Sequence, residues 1–133
     1  MKVAFICSYN SARSQMAEGW LRHLSGGLVE AFSAGVNSAG VHPDAITAMA
    51  EAGIDITGQS SKTLSQLPKD LDVVVTVCDA AAKQCPVFPG AVKRYHWSVE
   101  DPAGRGIEAF RAARDDLRAR ILDLLSGTRK HTE

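Results

Sequence analysis

The sequence predicts an α/β fold: a single domain over residues 1–133, built on an open, mostly parallel four-stranded sheet flanked by helices on both faces. Apolar, strand-like runs alternate with segments of helical period, the pattern of a parallel sheet covered by its connecting helices. The clearest runs, such as VVV at 73–75, are apolar throughout, which suits strands buried on both sides. The length of 133 residues supports one hydrophobic core, and a composition 45% hydrophobic and 23% charged is that of a globular chain.

The elements follow in order. Residues 2–6 (KVAFI) read as a short buried strand. From Ser14 to about Ser25, Met16, Ala17, Trp20, Leu21 and Leu24 form an apolar stripe at helical spacing, and Gly26-Gly27 ends the helix. A second strand is expected at 28–33 (LVEAFS). Pro43 suits the first turn of a second helix carrying Ile46, Met49 and Ala50, with Gly53 as its C-terminal cap. After a polar stretch at 57–65, residues 71–77 (LDVVVTV) read as the most strongly marked strand, and 93–97 (KRYHW) as a shorter one near the sheet edge. Ile107, Phe110, Leu117, Ile121 and Leu124 mark a long C-terminal helix, and the tail at 127–133 is expected to fray. No internal repeat or linker interrupts the chain.

Fifteen basic residues balance fifteen acidic ones, so no strong field favours nucleic acid or an anionic membrane surface. No apolar run approaches the length of a membrane span. The N-terminal MKVAFIC runs straight into a strand without a secretory pattern, so the expected compartment is the cytoplasm. There a disulfide framework is not expected, and three cysteines is an odd count. Cys7, Cys78 and Cys85 each need their own account.

Ligands of open α/β sheets bind beyond the carboxyl ends of the strands. The four expected strands finish at Cys7, Ser33, Cys78 and the region of Asp101, so three of the four ends carry a reactive group. At the first, residues 8–13 form a loop between strand and helix whose N–H groups can turn inward. Such a nest, backed by a helix N-terminus, binds an oxyanion without charged side chains, and the same partial charges favour a thiolate at Cys7. Arg13 adds a planar fork matched to two oxygens of a tetrahedral anion. Ser14 is placed to donate to the thiolate, and Asn10 to pin the loop. The expected binding residues are Ser8, Tyr9, Asn10, Ser11, Ala12, Arg13 and Ser14.

Cys78 and Cys85 bracket CDAAAKQC, which has helix formers in its middle, Asp79 as a possible N-cap and Pro86 as a stop. Seven helical residues rise roughly 10.5 Å, whereas a disulfide needs Cα atoms about 4.4–6.8 Å apart. These two thiols could bond only if the segment looped out or melted. A metal pair is the competing reading, but no nearby CxxC and no further cysteine supports it, so no metal is expected. Trp20 and Trp97 fit core positions, and the four histidines share no metal-like spacing. Lys93 and Arg94 suit either a basic rim or an ordinary solvated face.

The stretch CSYNSARSQMAEGW resembles the phosphate loop and first helix of the low-molecular-weight protein tyrosine phosphatase superfamily, and within it most closely the thioredoxin-coupled arsenate reductases. The similarity extends to SAG at 33–35, GIDI at 53–56, VVTVC at 74–78, CP at 85–86 and HWSVEDPAG at 96–104. Both branches share Cys7, Arg13, Ser14 and the Asp101-Pro102 pair. The reductase branch is favoured by Gln15 where phosphatases continue with proline, by Ala103-Gly104 where they carry an aromatic, and by Cys78 and Cys85 themselves. The resemblance implies Cys7 as nucleophile, Asp101 as general acid and Arg13 as anion clamp. It also implies a transient Cys7–Cys78 disulfide, then a redox-active Cys78–Cys85 disulfide reduced by thioredoxin, with thioredoxin reductase and NADPH behind it. Arsenate is the implied substrate, with phosphate and sulfate as competing oxyanions, no bound cofactor, and a monomeric chain with weak phosphatase side activity. A tyrosine phosphatase and a non-enzymatic redox-switch module are the alternatives. Some reductases of this kind bind potassium beside the loop; three ligands match Asn10, Glu18 and Ser33, but the fourth, an aspartate, falls at Lys62. Tyr9 stands where many relatives have glycine, and Ala12 where many have cysteine.

Overall fold

The structure, a computed structural model, describes residues 1–77 and 93–130. Strands β1 (Lys2–Cys7), β2 (Glu30–Gly35), β3 (Val73–Thr76) and β4 (Lys93–His96) form one parallel sheet in the order β2-β1-β3-β4. β1 is paired on both sides, and its apolar run explains why: Val3, Ala4, Phe5 and Ile6 are essentially inaccessible to solvent. β4 lies at the edge, as expected, and all four of its residues are exposed.

The described helices are α1 (Arg13–Leu24), α2 (Pro43–Glu51) and α3 (Ile107–Lys130). They pack against one another through the expected stripes, with Met16, Ala17, Trp20 and Leu21 of α1 and Phe110, Leu117 and Ile121 of α3 all buried. The Trp20 indole donates to the Arg114 carbonyl at 3.0 Å, so its one polar atom is satisfied inside the contact. Trp97 packs its ring on Phe5, with centroids 5.9 Å apart. Pro43 opens α2 at its first position, and Gly53, at φ 83°, closes it. The Gly53 and Ile54 N–H groups then reach back to the carbonyls of Ala50 and Met49.

Several boundaries differ from the sequence reading. β2 starts at Glu30 rather than 28, because Gly26 and Gly27 both turn with positive φ and leave Leu28 in solvent. It runs on to Gly35, because parallel pairing continues to the end of β1, with Cys7 opposite Gly35. β3 is confined to 73–76, although Leu71 and Val77 on either side are buried. β4 ends at His96, so Asp101 belongs to the following loop and not to a strand end. Helix α3 continues through Lys130 and takes in most of the tail expected to fray. The helix expected after Cys78, together with Cys78 and Cys85, lies outside the described residues.

Candidate active site

Cys7 is the last residue of β1 and 3% exposed, and α1 begins six residues later at Arg13. Each carbonyl from Cys7 to Ala12 accepts a hydrogen bond. Those of Cys7, Ser8, Tyr9 and Ser11 accept from the N–H groups of Val36, Asn37, Ala39 and His42, at 2.9–3.2 Å. The Asn10 carbonyl accepts from the Gln15 amide at 3.0 Å, and the Ala12 carbonyl from Met16 N–H at 2.9 Å. In a trans peptide the N–H points opposite to the carbonyl. Each N–H of residues 8–13 therefore points away from the donor that holds the carbonyl of its own peptide, which is compatible with the nest expected from the spacing. Ala12, the N-cap of α1, supplies no side-chain cap, and the first turn carries no acidic residue. The helix N-terminus is left for an anion to fill.

The loop is braced by buried polar side chains. Asn10, the one non-glycine residue at positive φ (49°) among the described residues, is fully buried. Its side-chain oxygen accepts from Lys62 N–H at 2.7 Å and from the Gln15 amide at 2.9 Å, which leaves its nitrogen to donate to Ser14 Oγ at 2.8 Å. Ser14 Oγ, which accepts from Asn10, is also hydrogen-bonded to Cys7 Sγ at 2.8 Å, where either atom can donate. A thiolate at Cys7 would receive that hydrogen bond. The brace continues from Gln15 through Gln59 to Arg22, and from Arg22 to Glu18 at 2.6 Å. Ser33 Oγ donates to the second Glu18 oxygen, and Lys62 Nζ lies 3.8 Å from it. The ring of contacts closes through the Lys62 backbone on Asn10.

Arg13 joins this loop to the Asp101 segment. One guanidinium nitrogen donates to the Val99 carbonyl at 2.9 Å, and the other lies 3.6 Å from Asp101 Oδ2. Asp101 is half exposed, and its other oxygen accepts from Ala103 N–H at 3.1 Å, a local turn that aims the carboxyl. Between the two segments is a cavity of about 120 Å³ lined by Cys7, Tyr9, Ala12, Arg13, Asp101 and Ala103, among others. A roomier hollow of about 450 Å³ between α1, α2 and α3 is lined by Trp20, His23 and Arg114 and contains no thiol. The smaller cavity brings a thiol, a guanidinium and a carboxyl together.

Residues 2–133 match the profile of the low molecular weight phosphotyrosine protein phosphatase family. The chain belongs to that family. Among relatives, an arsenate reductase of Staphylococcus epidermidis is 43% identical over 90% of this chain and 92% of its own length. One from Staphylococcus xylosus is 44% identical over the same shares. Among solved structures, an arsenate reductase in oxidized state superposes with a TM-score of 0.85 at 38% identity, covering 94% of this chain and 96% of the other. An arsenate reductase in the phosphate binding state gives a TM-score of 0.80 at 39% identity, over the same shares.

Within this phosphatase-family fold, the structure brings together Cys7, the loop residues, Arg13, Ser14 and Asp101 as expected. Cys78 and Cys85 are not among the described residues. The family-type potassium site does not fit this chain. The Lys62 ammonium sits beside Glu18, the Asn10 oxygen already has two donors, and Ser33 donates to Glu18. Sequence reasoning missed the second layer: the donors of residues 36–42, Gln59, and the Val99 carbonyl that holds Arg13. Their contributions are mostly backbone groups, which carry no side-chain signal.

Proposed function

We propose that this protein is an arsenate reductase working through a cysteine relay. The observation that carries the reading is the Cys7 thiol, hydrogen-bonded to Ser14 and sharing one cavity with Arg13 and Asp101, which themselves lie 3.6 Å apart. The names of its relatives and the presence of Cys78 and Cys85 in the chain support a reductase over a phosphatase. Arsenate is held by the amides of residues 8–13 and by Arg13. Cys7 thiolate displaces one oxygen from arsenic, and Asp101 protonates it so that it leaves as water. Cys78 thiolate then attacks the Cys7 sulfur. The S–As electron pair stays on arsenic, which departs as arsenite reduced by two electrons, and a Cys7–Cys78 disulfide forms. Cys85 attacks the Cys78 sulfur, frees Cys7 as thiolate and leaves Cys78–Cys85 for a thioredoxin-type dithiol to reduce. The chain acts as a cytoplasmic monomer and needs no resident cofactor.

The test is arsenate-dependent NADPH oxidation in the presence of thioredoxin and thioredoxin reductase. Wild-type protein should turn over repeatedly and Cys7→Ser not at all, because a serine alkoxide is not available at neutral pH. Arg13→Lys should lose roughly 10²-fold or more in kcat/KM, since an ammonium cannot replace the planar fork. Turnover by Cys7→Ser, or efficient aryl phosphate hydrolysis without arsenate reduction, would overturn the proposal.

A further inference from the structure

The amide nest is shaped from behind by residues 36–42, and the far end of that segment is tied down by one side chain. The His42 backbone N–H donates to the Ser11 carbonyl at 2.9 Å. Its Nδ1 accepts from Asp44 N–H at 3.1 Å, which caps α2 and leaves the ring proton on Nε2. Its ring packs on Phe110 of α3, with centroids 4.7 Å apart, and Phe110 is fully buried. Pro43 holds His42 in extended backbone geometry, φ −67° and ψ 132°. Cap, ring contact and proline together fix the direction of the His42 N–H.

That direction matters because the Ser11 carbonyl shares a peptide plane with Ala12 N–H. If the His42 N–H swings away, the Ser11–Ala12 peptide loses what holds it. A flip of this peptide would point the carbonyl oxygen into the nest and remove the Ala12 amide from it. The anion would lose a donor and meet an acceptor in its place. We propose that His42 is a positioning residue for the oxyanion loop: its capped and stacked imidazole keeps the Ser11–Ala12 peptide oriented for anion binding. The inference rests on the loop being the oxyanion site.

Phosphate binding by the reduced, full-length protein tests it by titration calorimetry. His42→Leu should raise the phosphate Kd roughly tenfold or more, the loss expected when a hydrogen bond to a charged group is removed. His42→Asn should restore most of the affinity, because an asparagine oxygen caps a helix as well as an imidazole nitrogen does. Glu51→Ala loosens α2 at its other end, where Glu51 pairs with Arg111 and Arg114. It should lower Tm without moving the phosphate Kd. An unchanged Kd in His42→Leu would overturn the proposal, as would an equal rise in Glu51→Ala. If the leucine variant does not fold, amide exchange of the wild type decides. Phosphate should slow exchange at His42 N–H together with the loop amides, and an unresponsive His42 N–H counts against it. A wild type that binds no phosphate would overturn the oxyanion site itself.

Discussion

Lys62 shows how one residue changes the electrostatics of the loop. Glu18 is 5% exposed, and its carboxylate is met by Arg22, Ser33 and Lys62. A buried charge left without a partner costs about 3–5 kcal/mol, so this cluster holds only while its cations stay in place. The Lys62 ammonium is also anchored on the Ser60 carbonyl at 2.6 Å, and its backbone N–H holds Asn10. A monovalent cation has neither a free ligand set nor a reason to enter. Melting temperature and steady-state rate should therefore be the same in potassium and in a bulky organic cation at equal ionic strength. A potassium-specific gain would mean that Lys62 leaves Glu18 in solution. Lys62→Met should destabilise the protein and weaken oxyanion binding, because it strips one cation from Glu18 behind the nest. The alignment of Lys62 with a cation ligand was legible in the sequence, and an ammonium at that position is a natural partner for Glu18; its 3.8 Å approach comes from the fold. That contact joins residues 44 positions apart.

At the scale of elements, β2 and the segment after it hold the anion loop. Gly35 ends β2 opposite Cys7, and a Cβ there would lie 2.6 Å from Asn10 N and 2.8 Å from the Tyr9 carbonyl carbon, and closer still to the Asn37 carbonyl. All three are backbone atoms that cannot turn aside. Gly35→Ala should displace the nest; misplacement of a reacting group by about 1 Å can cost roughly 10²-fold in rate, and overpacking costs about 1–3 kcal/mol. Arsenate kcat/KM and urea unfolding measure the two effects, and a variant with normal kinetics would refute the close approach. Helix α2 is tied to α3 by a bidentate pair, Arg111 to Glu51 at 2.9 and 2.7 Å, with Arg114 also reaching the Ala48 carbonyl. The Arg111 hydrogen bonds, followed by the charges of Arg111 and Arg114, hold the Glu51 carboxyl below its usual pKa. Its stabilising contribution is thus present above the unfolded-state pKa and is lost as pH falls through the lower folded value. Glu51→Gln should melt below wild type at pH 7, and the two Tm curves should converge in acid. A gap that persists at low pH would assign the loss to packing. The positions of α1, α2 and α3 were legible from their stripes. The reach of β2 to Gly35 was not, because SAG carries no strand pattern and only pairing with β1 makes it one.

For the molecule as a whole, the proposed relay carries oxidation from Cys7 to Cys78 and Cys85. Cys85→Ser should complete about one turnover and accumulate Cys7–Cys78, seen by non-reducing peptide mapping, because no third thiol remains to free Cys7. Oxidation of the wild type should speed amide exchange across residues 79–92 while β1, paired on both sides, stays protected. Unchanged exchange after confirmed oxidation would sink the shape change. The sequence by itself determined the parallel α/β class, the strand–loop–helix that holds Cys7, Arg13 and Ser14, and the order of the helices. Each of these is written in local periodicity or in residues a few positions apart, where chain geometry leaves little choice. Only the tertiary structure decided what holds the loop carbonyls, where Arg13 reaches, and that Asp101 stands in a loop. Those outcomes depend on carbonyls and N–H groups from residues 36–42, 62 and 99. Backbone groups are the same in every residue, so their pairing becomes visible only when the sheet brings distant segments together.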